Sequence, residues 1–124
     1  MWKYYNPNPA GRMVGDCSVR AVSAALDVSW DEAFDLLAHN ARQMCDMPSS
    51  DAVIGSVLRK HGFVRNIIPN SCPDCYTIGE LAEDHPRGIY VAGTGRHVAC
   101  IIDGVILDSW DSSREILTYV WRRM

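Results

Sequence analysis

Apolar residues recur every three or four positions through the first half of the chain and predict three helices. The predicted helices span residues 17–26, 30–45 and 51–61. The second has the most regular amphipathic pattern of the sequence, and Ser29 and Glu32 form an S-x-x-E capping box at its start. Pro48 prevents it from extending further, and Gly62 is expected to cap the third helix.

The period of the apolar pattern changes to that of strands in the second half of the chain. The predicted strands span residues 63–68, 88–92, 97–102, 105–110 and 115–121. A short helix is predicted from the capping box of Thr77 and Glu80, and Asp103-Gly104 is a strong two-residue hairpin turn. Helices followed by a mostly antiparallel sheet predict a single α+β domain over residues 1–124, with residues 1–15 as an irregular but packed lead-in.

Composition narrows the function classes. The chain has 124 residues and a formal net charge of -3, which argues against a nucleic-acid partner. No apolar run approaches the ~20 residues that span a bilayer, so no membrane association is expected. The stretch MWKYYNPNPAGR lacks the apolar core of a secretory signal. We therefore expect a cytoplasmic protein whose five cysteines are mostly reduced thiols.

Cys17 is the first candidate for chemistry, because it opens the first predicted helix directly behind Asp16. Asp16 is expected to cap that helix, and free N–H groups and the helix dipole stabilise a thiolate at this position. An inert buried thiol is the alternative interpretation. A reactive Cys17 requires a base from elsewhere in the fold.

The predicted hairpin around Asp103-Gly104 provides such a base. Its register pairs Ile102 with Val105, which brings His97 and Asp108 to one face, one diagonal step and about 5–8 Å apart. Asp111 falls on the wrong face and is the weaker candidate. The opposite face is an apolar stripe expected in the core, formed by Val98, Cys100, Ile102, Val105 and Leu107.

Three segments together resemble the papain-like cysteine peptidases, especially the small bacterial and phage proteins near the C39-peptidase-like group. The segments are GDCSVRA at 15–21, HPRGIYVAG at 85–93 and GRHVACIIDGVILDSWD at 95–111. The resemblance implies a papain-like fold, with Cys17 as nucleophile, His97 as general base and then acid, and Asp108 as the third member of a triad.

The chain departs from that family at the oxyanion hole. Papain-like enzymes usually carry a Gln about six residues before the cysteine, where this sequence has Gly11. We consider the amide of Asn8 or Asn6 as the replacement donor. Trp110 and Asp16 are the candidate substrate-site residues, and Trp110 is also placed to shield the bond between His97 and Asp108.

Cys72 and Cys75 form a CxxC motif that suggests zinc or redox chemistry. No second CxxC or HxxxH completes a four-ligand set, so an ordinary loop is favoured and no metal or cofactor is expected.

The expected function is cysteine-dependent acyl transfer, with hydrolysis of a peptide or isopeptide bond in a peptide or protein substrate. One alternative uses the same triad as a transglutaminase, a deamidase or an acyltransferase. The other is a non-catalytic phage or bacterial interaction protein that retains the fold.

Overall fold

A computed structural model describes residues 1–67 and 75–123 of the chain. The described part contains four helices and six strands. The helices are α1 (Cys17–Leu26), α2 (Trp30–Met44), α3 (Asp51–Lys60) and α4 (Ile78–Asp84). The strands are β1 (Trp2–Tyr4), β2 (Phe63–Ile67), β3 (Ile89–Gly93), β4 (Val98–Ile102), β5 (Val105–Asp108) and β6 (Tyr119–Arg123).

The strands form one sheet in the order β1-β5-β4-β3-β6-β2. All described neighbours are antiparallel except β1 and β5, which run parallel. The hairpin register is confirmed, with Ile102 opposite Val105 and Cys100 opposite Leu107. The molecule is therefore an α+β protein with a mostly antiparallel sheet.

Side chains cap the later helices in the way their sequences predict. The Ser29 hydroxyl accepts from the Glu32 N–H, and Thr77 and Glu80 form a complete capping box. The prediction that Asp16 caps α1 is wrong, because its side chain makes no capping hydrogen bond. The Asp16 carboxylate accepts hydrogen bonds from Arg20 and Trp30 instead.

Both faces of the sheet carry a core. Helices α1, α2 and α3 pack on one face, where Val98 and Cys100 are buried as predicted, whereas the other members of the predicted core stripe, Ile102, Val105 and Leu107, are half-buried. Helix α4 and Leu117 cover the other face, where Ile101 and Ile106 are completely buried. Since α1 lies directly against β4 and β5, the first turn of α1 meets the hairpin that carries the other candidate residues.

Several strand boundaries differ from the sequence prediction. The lead-in contains strand β1, because the Ile106 N–H donates to Met1 O and the Tyr5 N–H donates to Asp108 O. The last strand begins at Tyr119 rather than residue 115. Strand β4 begins one residue after His97, since the His97 N–H donates to the Thr94 hydroxyl and closes a turn. No helix in the described ranges is long and apolar enough to cross a membrane.

Candidate active site

Cys17 occupies the first residue of α1. The first hydrogen bond of that helix runs from Arg20 N to Asp16 O at 2.9 Å. The N–H groups of Cys17, Ser18 and Val19 therefore have no acceptor within the helix, and the helix terminus carries partial positive charge there. The Cys17 side chain is half-buried at the wall of a cleft, so its thiol is accessible from solvent.

His97 lies in the turn before β4, between Cys17 and Asp108. Its Nε2 atom is 2.6 Å from Asp108 Oδ2, and its side chain is near enough to the Cys17 thiol to lower the pKa of that thiol. Because the carboxylate engages Nε2, Nδ1 is the ring nitrogen left available to the sulfur. The structure thus brings together all three residues of the candidate triad.

Asp108 is completely buried and accepts four hydrogen bonds with its carboxylate. Oδ1 accepts from Arg20 Nη2 at 3.0 Å and from the Ser109 N–H at 2.8 Å. Oδ2 accepts from His97 at 2.6 Å and from the Ser112 hydroxyl at 2.7 Å. Burial raises the Asp108 pKa, but the hydrogen bonds from His97 and Ser112 and the nearby positive charges lower it below the usual value. The carboxylate is therefore held ionised and in one orientation.

The electrostatics of the site favour a charged pair. Burial raises the pKa of Cys17, but the hydrogen bond with His97, the Val98 N–H and the charges of His97 and Arg20 lower it below the usual thiol value. Burial lowers the pKa of His97, and hydrogen bonds with Asp108 and Cys17 together with their charges raise it to about 9. The two shifts both favour the thiolate and imidazolium forms over the neutral pair.

Arg20 is a residue of the candidate site that the sequence did not reveal. Its buried guanidinium donates to Asp16 Oδ1 at 2.6 Å and to Asp108 Oδ1 at 3.0 Å, so it joins two buried carboxylates. Asp16 Oδ2 accepts in turn from Trp30 Nε1 at 2.9 Å. The spacing of Asp16 and Arg20 permits an ion pair on α1, but nothing local indicates the contact with Asp108, which is 88 residues away.

The N-terminal segment also holds Asp108, through its backbone. The Asp108 carbonyl oxygen accepts from Trp2 Nε1 at 3.1 Å and from the Tyr5 N–H at 2.8 Å. Ser112, another partner that sequence reasoning missed, is completely buried beside the Asp108 carboxylate. Asp111 is exposed and accepts from the Ser113 N–H, in agreement with its rejection from the triad.

Trp110 covers one side of the imidazole. Its ring centroid lies 4.7 Å from that of His97, and the side chain is 42% exposed at the rim of the cleft. The other proposed substrate-site residue, Asp16, is 6% exposed and does not line the cleft. Assigning Asp16 to the substrate site is therefore wrong, because its carboxylate is consumed by Arg20 and Trp30.

The cleft beside Cys17 has a volume of about 570 Å³. It is enclosed by the segment before α1, the start of α3, the turn before β4 and the segment after β5. The structure does not bring Asn6 or Asn8, the candidate oxyanion donors, to the lining of this cleft. Asn6 Nδ2 donates to Arg12 O at 3.2 Å and Asn8 Oδ1 accepts from the Ala10 N–H, so both side chains stabilise the N-terminal loop.

Among residues 1–67 and 75–123 there is no cluster of three or more His, Cys, Asp or Glu side chains able to hold a metal ion. Cys72, half of the CxxC motif, lies outside the described residues. Comparison with known proteins adds no family: no family model, curated protein or solved structure matches this chain.

Proposed function

We propose that the protein is a papain-like thiol hydrolase that cleaves peptide or isopeptide bonds with Cys17, His97 and Asp108. The observation that carries the proposal is the His97 imidazole, held at 2.6 Å by a completely buried carboxylate in the same cleft as a thiol at a helix N-terminus. Nucleophile, base and orienting carboxylate stand in the relation that covalent acyl transfer requires.

The reaction begins with the thiolate of Cys17. Its sulfur attacks the carbonyl carbon, an S–C bond forms, and the carbonyl π electrons move to oxygen. The intermediate collapses with cleavage of the C–N bond, and the His97 imidazolium donates its proton to the leaving nitrogen. Water then attacks the thioester, neutral His97 accepts its proton, and cleavage of the S–C bond restores the charged pair.

The helix N-terminus supports the negative charge that develops on the carbonyl oxygen. The Cys17 N–H lacks an acceptor within α1 and is the first candidate oxyanion donor. Polar side chains of Ser49, Ser109 and Arg96 also line the cleft. A cytoplasmic compartment is part of the proposal, and the reaction needs the thiol of Cys17 unoxidised.

The pH dependence of Cys17 alkylation tests the charged pair directly. Iodoacetamide reacts with the thiolate, so the labelling rate of Cys17 is expected to rise with a midpoint well below pH 9. In His97→Ala the strongest favourable contact of the thiolate is lost, and the midpoint is expected to move upward. Intact-mass and peptide mass spectrometry give the rate at each cysteine.

Cys45 provides an internal control, because it is an exposed free cysteine away from the cleft. Its labelling is expected to be the same in wild type and His97→Ala. Labelling of Cys17 at neutral pH that is no faster than that of Cys45, or that is unaffected by loss of His97, contradicts the proposal. If Cys17 is reactive, a quenched peptide library can be used to form the acyl-enzyme. The products formed from it with water, an amine and ammonia then distinguish hydrolysis from transamidation.

A non-catalytic interaction protein is the second candidate function. It is favoured by one observation: among the described residues, no Asn or Gln side chain lines the cleft. An acyl-enzyme that forms but does not turn over with water, amine or ammonia would support this second function.

A further inference from the structure

A second cavity of about 380 Å³ adjoins the cleft of Cys17. Arg59 from α3 and Arg65 from β2 line it, with Tyr119 and Trp121 of β6. Asp51, the first residue of α3, lines both cavities. The two cavities therefore meet at Asp51.

Aromatic rings fix the two arginines in this cavity. Arg59 Cζ lies 5.3 Å from the ring centroid of Trp121, and Arg65 Cζ lies 4.7 Å from that of Tyr119. Neither arginine forms an ion pair with a carboxylate in the described part of the chain. A stacked guanidinium keeps its N–H edge available, and that edge binds carboxylates with charge-assisted hydrogen bonds.

Tyr119 contacts both Asp51, which lines the two cavities, and Arg65, which lines the second. Its hydroxyl donates to Asp51 Oδ1 at 2.6 Å, while its ring supports Arg65. Burial and the contact with Asp51 raise the pKa of Tyr119, and the charge of Cys17 adds to that rise. The tyrosine is thus within electrostatic range of the thiolate on one side and in contact with Arg65 on the other.

The spacing along α3 sets the length of ligand that reaches both cavities. Asp51, Gly55 and Arg59 follow each other at intervals of four residues on one helix face, and all three line the second cavity. Eight residues of helix rise about 12 Å. An extended peptide covers that distance in three to four residues.

We propose that the second cavity is a specificity subsite that binds an acidic side chain of the peptide substrate, three to four residues from the residue lying at Asp51. This inference rests on the proposed function, since it extends the cleft of Cys17. Asp51 is the one carboxylate among the described residues lining the cavity, and it lies at the Cys17 end. The acidic group therefore binds at the far end, against Arg59 and Arg65.

Two pairs of peptide electrophiles test the subsite in both chain directions. One pair is the chloromethyl ketone of acetyl-Glu-Ala-Ala-Gly and its Gln counterpart, and the other is chloroacetyl-Gly-Ala-Ala-Glu-amide and its Gln counterpart. We expect the Glu probe of at least one pair to label Cys17 about tenfold faster than its Gln counterpart at low salt. The ratio is expected to fall as salt is added.

Matched variants assign the preference to the two arginines. In the double variant Arg59→Gln, Arg65→Gln the ratio is expected to approach one, and the Lys,Lys double variant is expected to keep part of it. Arg123→Gln is the control, because Arg123 stacks on Phe63 at 5.0 Å but does not line the cavity. Circular dichroism and iodoacetamide labelling of Cys17 confirm that each variant is folded with its thiol intact.

The outcomes separate this inference from the proposed function. Rapid iodoacetamide labelling of Cys17 with equal Glu and Gln rates in both pairs overturns the subsite and leaves the proposed function standing. A Glu preference that survives in the Gln,Gln double variant also overturns the subsite. A Cys17 that iodoacetamide does not label faster than Cys45 overturns the proposed function and the subsite with it.

Discussion

Cys17 and Cys100 lie on adjacent elements, α1 and β4, and have opposite acid–base properties. Cys100 is completely buried in the middle of a strand, and burial raises its pKa to about 12. Burial also raises the pKa of Cys17, yet His97, the Val98 N–H and Arg20 reverse the shift. The same side chain therefore has different partners at the two positions, and the partners decide which thiol ionises.

The partners of Cys17 come from a helix end and a strand end, where backbone groups are unpaired and side chains converge. Cys100, at the centre of β4, lies within an apolar cluster, and its strand is paired on both sides. A nucleophile at this position of the sheet has nothing to stabilise its charge. The comparison predicts different consequences for substitutions around Cys17 and around Cys100.

Removal of each thiol gives the largest contrast. Cys17→Ala is expected to lower acyl transfer to a fluorogenic peptide by at least about 10³-fold, because no covalent intermediate forms. Cys100→Ala is expected to retain activity and to lose about 1 kcal/mol of stability from the cavity it creates. Steady-state rates and urea unfolding measure the two effects. An active Cys17→Ala protein would remove Cys17 from the mechanism.

Asp108→Asn is expected to have the next largest effect. The variant keeps the shape of the side chain but removes the charge that favours the His97 imidazolium, so activity is expected to fall about 10²- to 10⁴-fold. Alkylation of Cys17 at pH 7 is expected to slow with it, whereas labelling of Cys45 stays unchanged. Unaltered Cys17 reactivity in a folded variant would show that the carboxylate does not tune the pair.

The same variant isolates a pH dependence of stability. Because the pKa of Asp108 is lowered in the folded protein, its contribution is present above the unfolded-state pKa of about 3.9 and is lost as pH falls through the folded value. Urea unfolding between about pH 2 and 5 is therefore expected to show a shallower decline for Asp108→Asn than for wild type. Parallel declines would exclude Asp108 as a source of acid sensitivity.

Arg20→Gln tests the contact between the helix and the hairpin. It leaves Asp16 and Asp108 as buried carboxylates without their shared cation, so we expect a stability loss of about 3–5 kcal/mol and slower Cys17 alkylation, by about tenfold at pH 7. Arg42→Gln is the control, since Arg42 is exposed on α2, does not line the cleft and forms no ion pair in the described part of the chain. Equal effects of both substitutions would show that Arg20 acts only through the net charge of the protein.

Trp110→Ala is expected to have the smallest effect. The indole covers His97 from one side only and is 42% exposed, so its loss admits water to the bond between His97 and Asp108 without removing a charge. Activity is expected to fall about threefold, and Trp110→Phe, which keeps a ring over the imidazole, is expected to remain near wild type. A loss in Trp110→Phe as large as in Trp110→Ala would instead indicate a role of the indole N–H.

Local patterns in the sequence predicted the elements that depend on local physics. Three helices begin and end within a residue of their predicted limits, because their apolar spacing is regular and, for α2 and α3, the capping serines are where the sequence places them. The turn at Asp103-Gly104 defines the register of β4 and β5, and that register alone placed His97 and Asp108 on one face. The candidate triad could be predicted because a turn and a helix start both depend on short stretches of sequence.

Partners distant in sequence could not be predicted from local patterns. Strand β1 was missed because its three residues are exposed and pair with a strand about a hundred positions away. The roles of Arg20 and Ser112 depend on the burial of Asp108, which no pattern near either residue encodes. Asp16 was misassigned for the same reason, since an ordinary capping residue becomes an ion-pair partner only once Arg20 and Trp30 pack around it.

The parallel pairing of β1 with β5 has a consequence for the order of folding during synthesis. Residues at the start of the chain are made first, yet Trp2 and Tyr5 find their acceptor only when residue 108 has left the ribosome. Cys17 likewise gains its partner only after His97 has been synthesised. Contacts of such high sequence separation form late. In a nascent chain the Cys17 thiol therefore lacks the partners that lower its pKa until residues 97 and 108 have emerged.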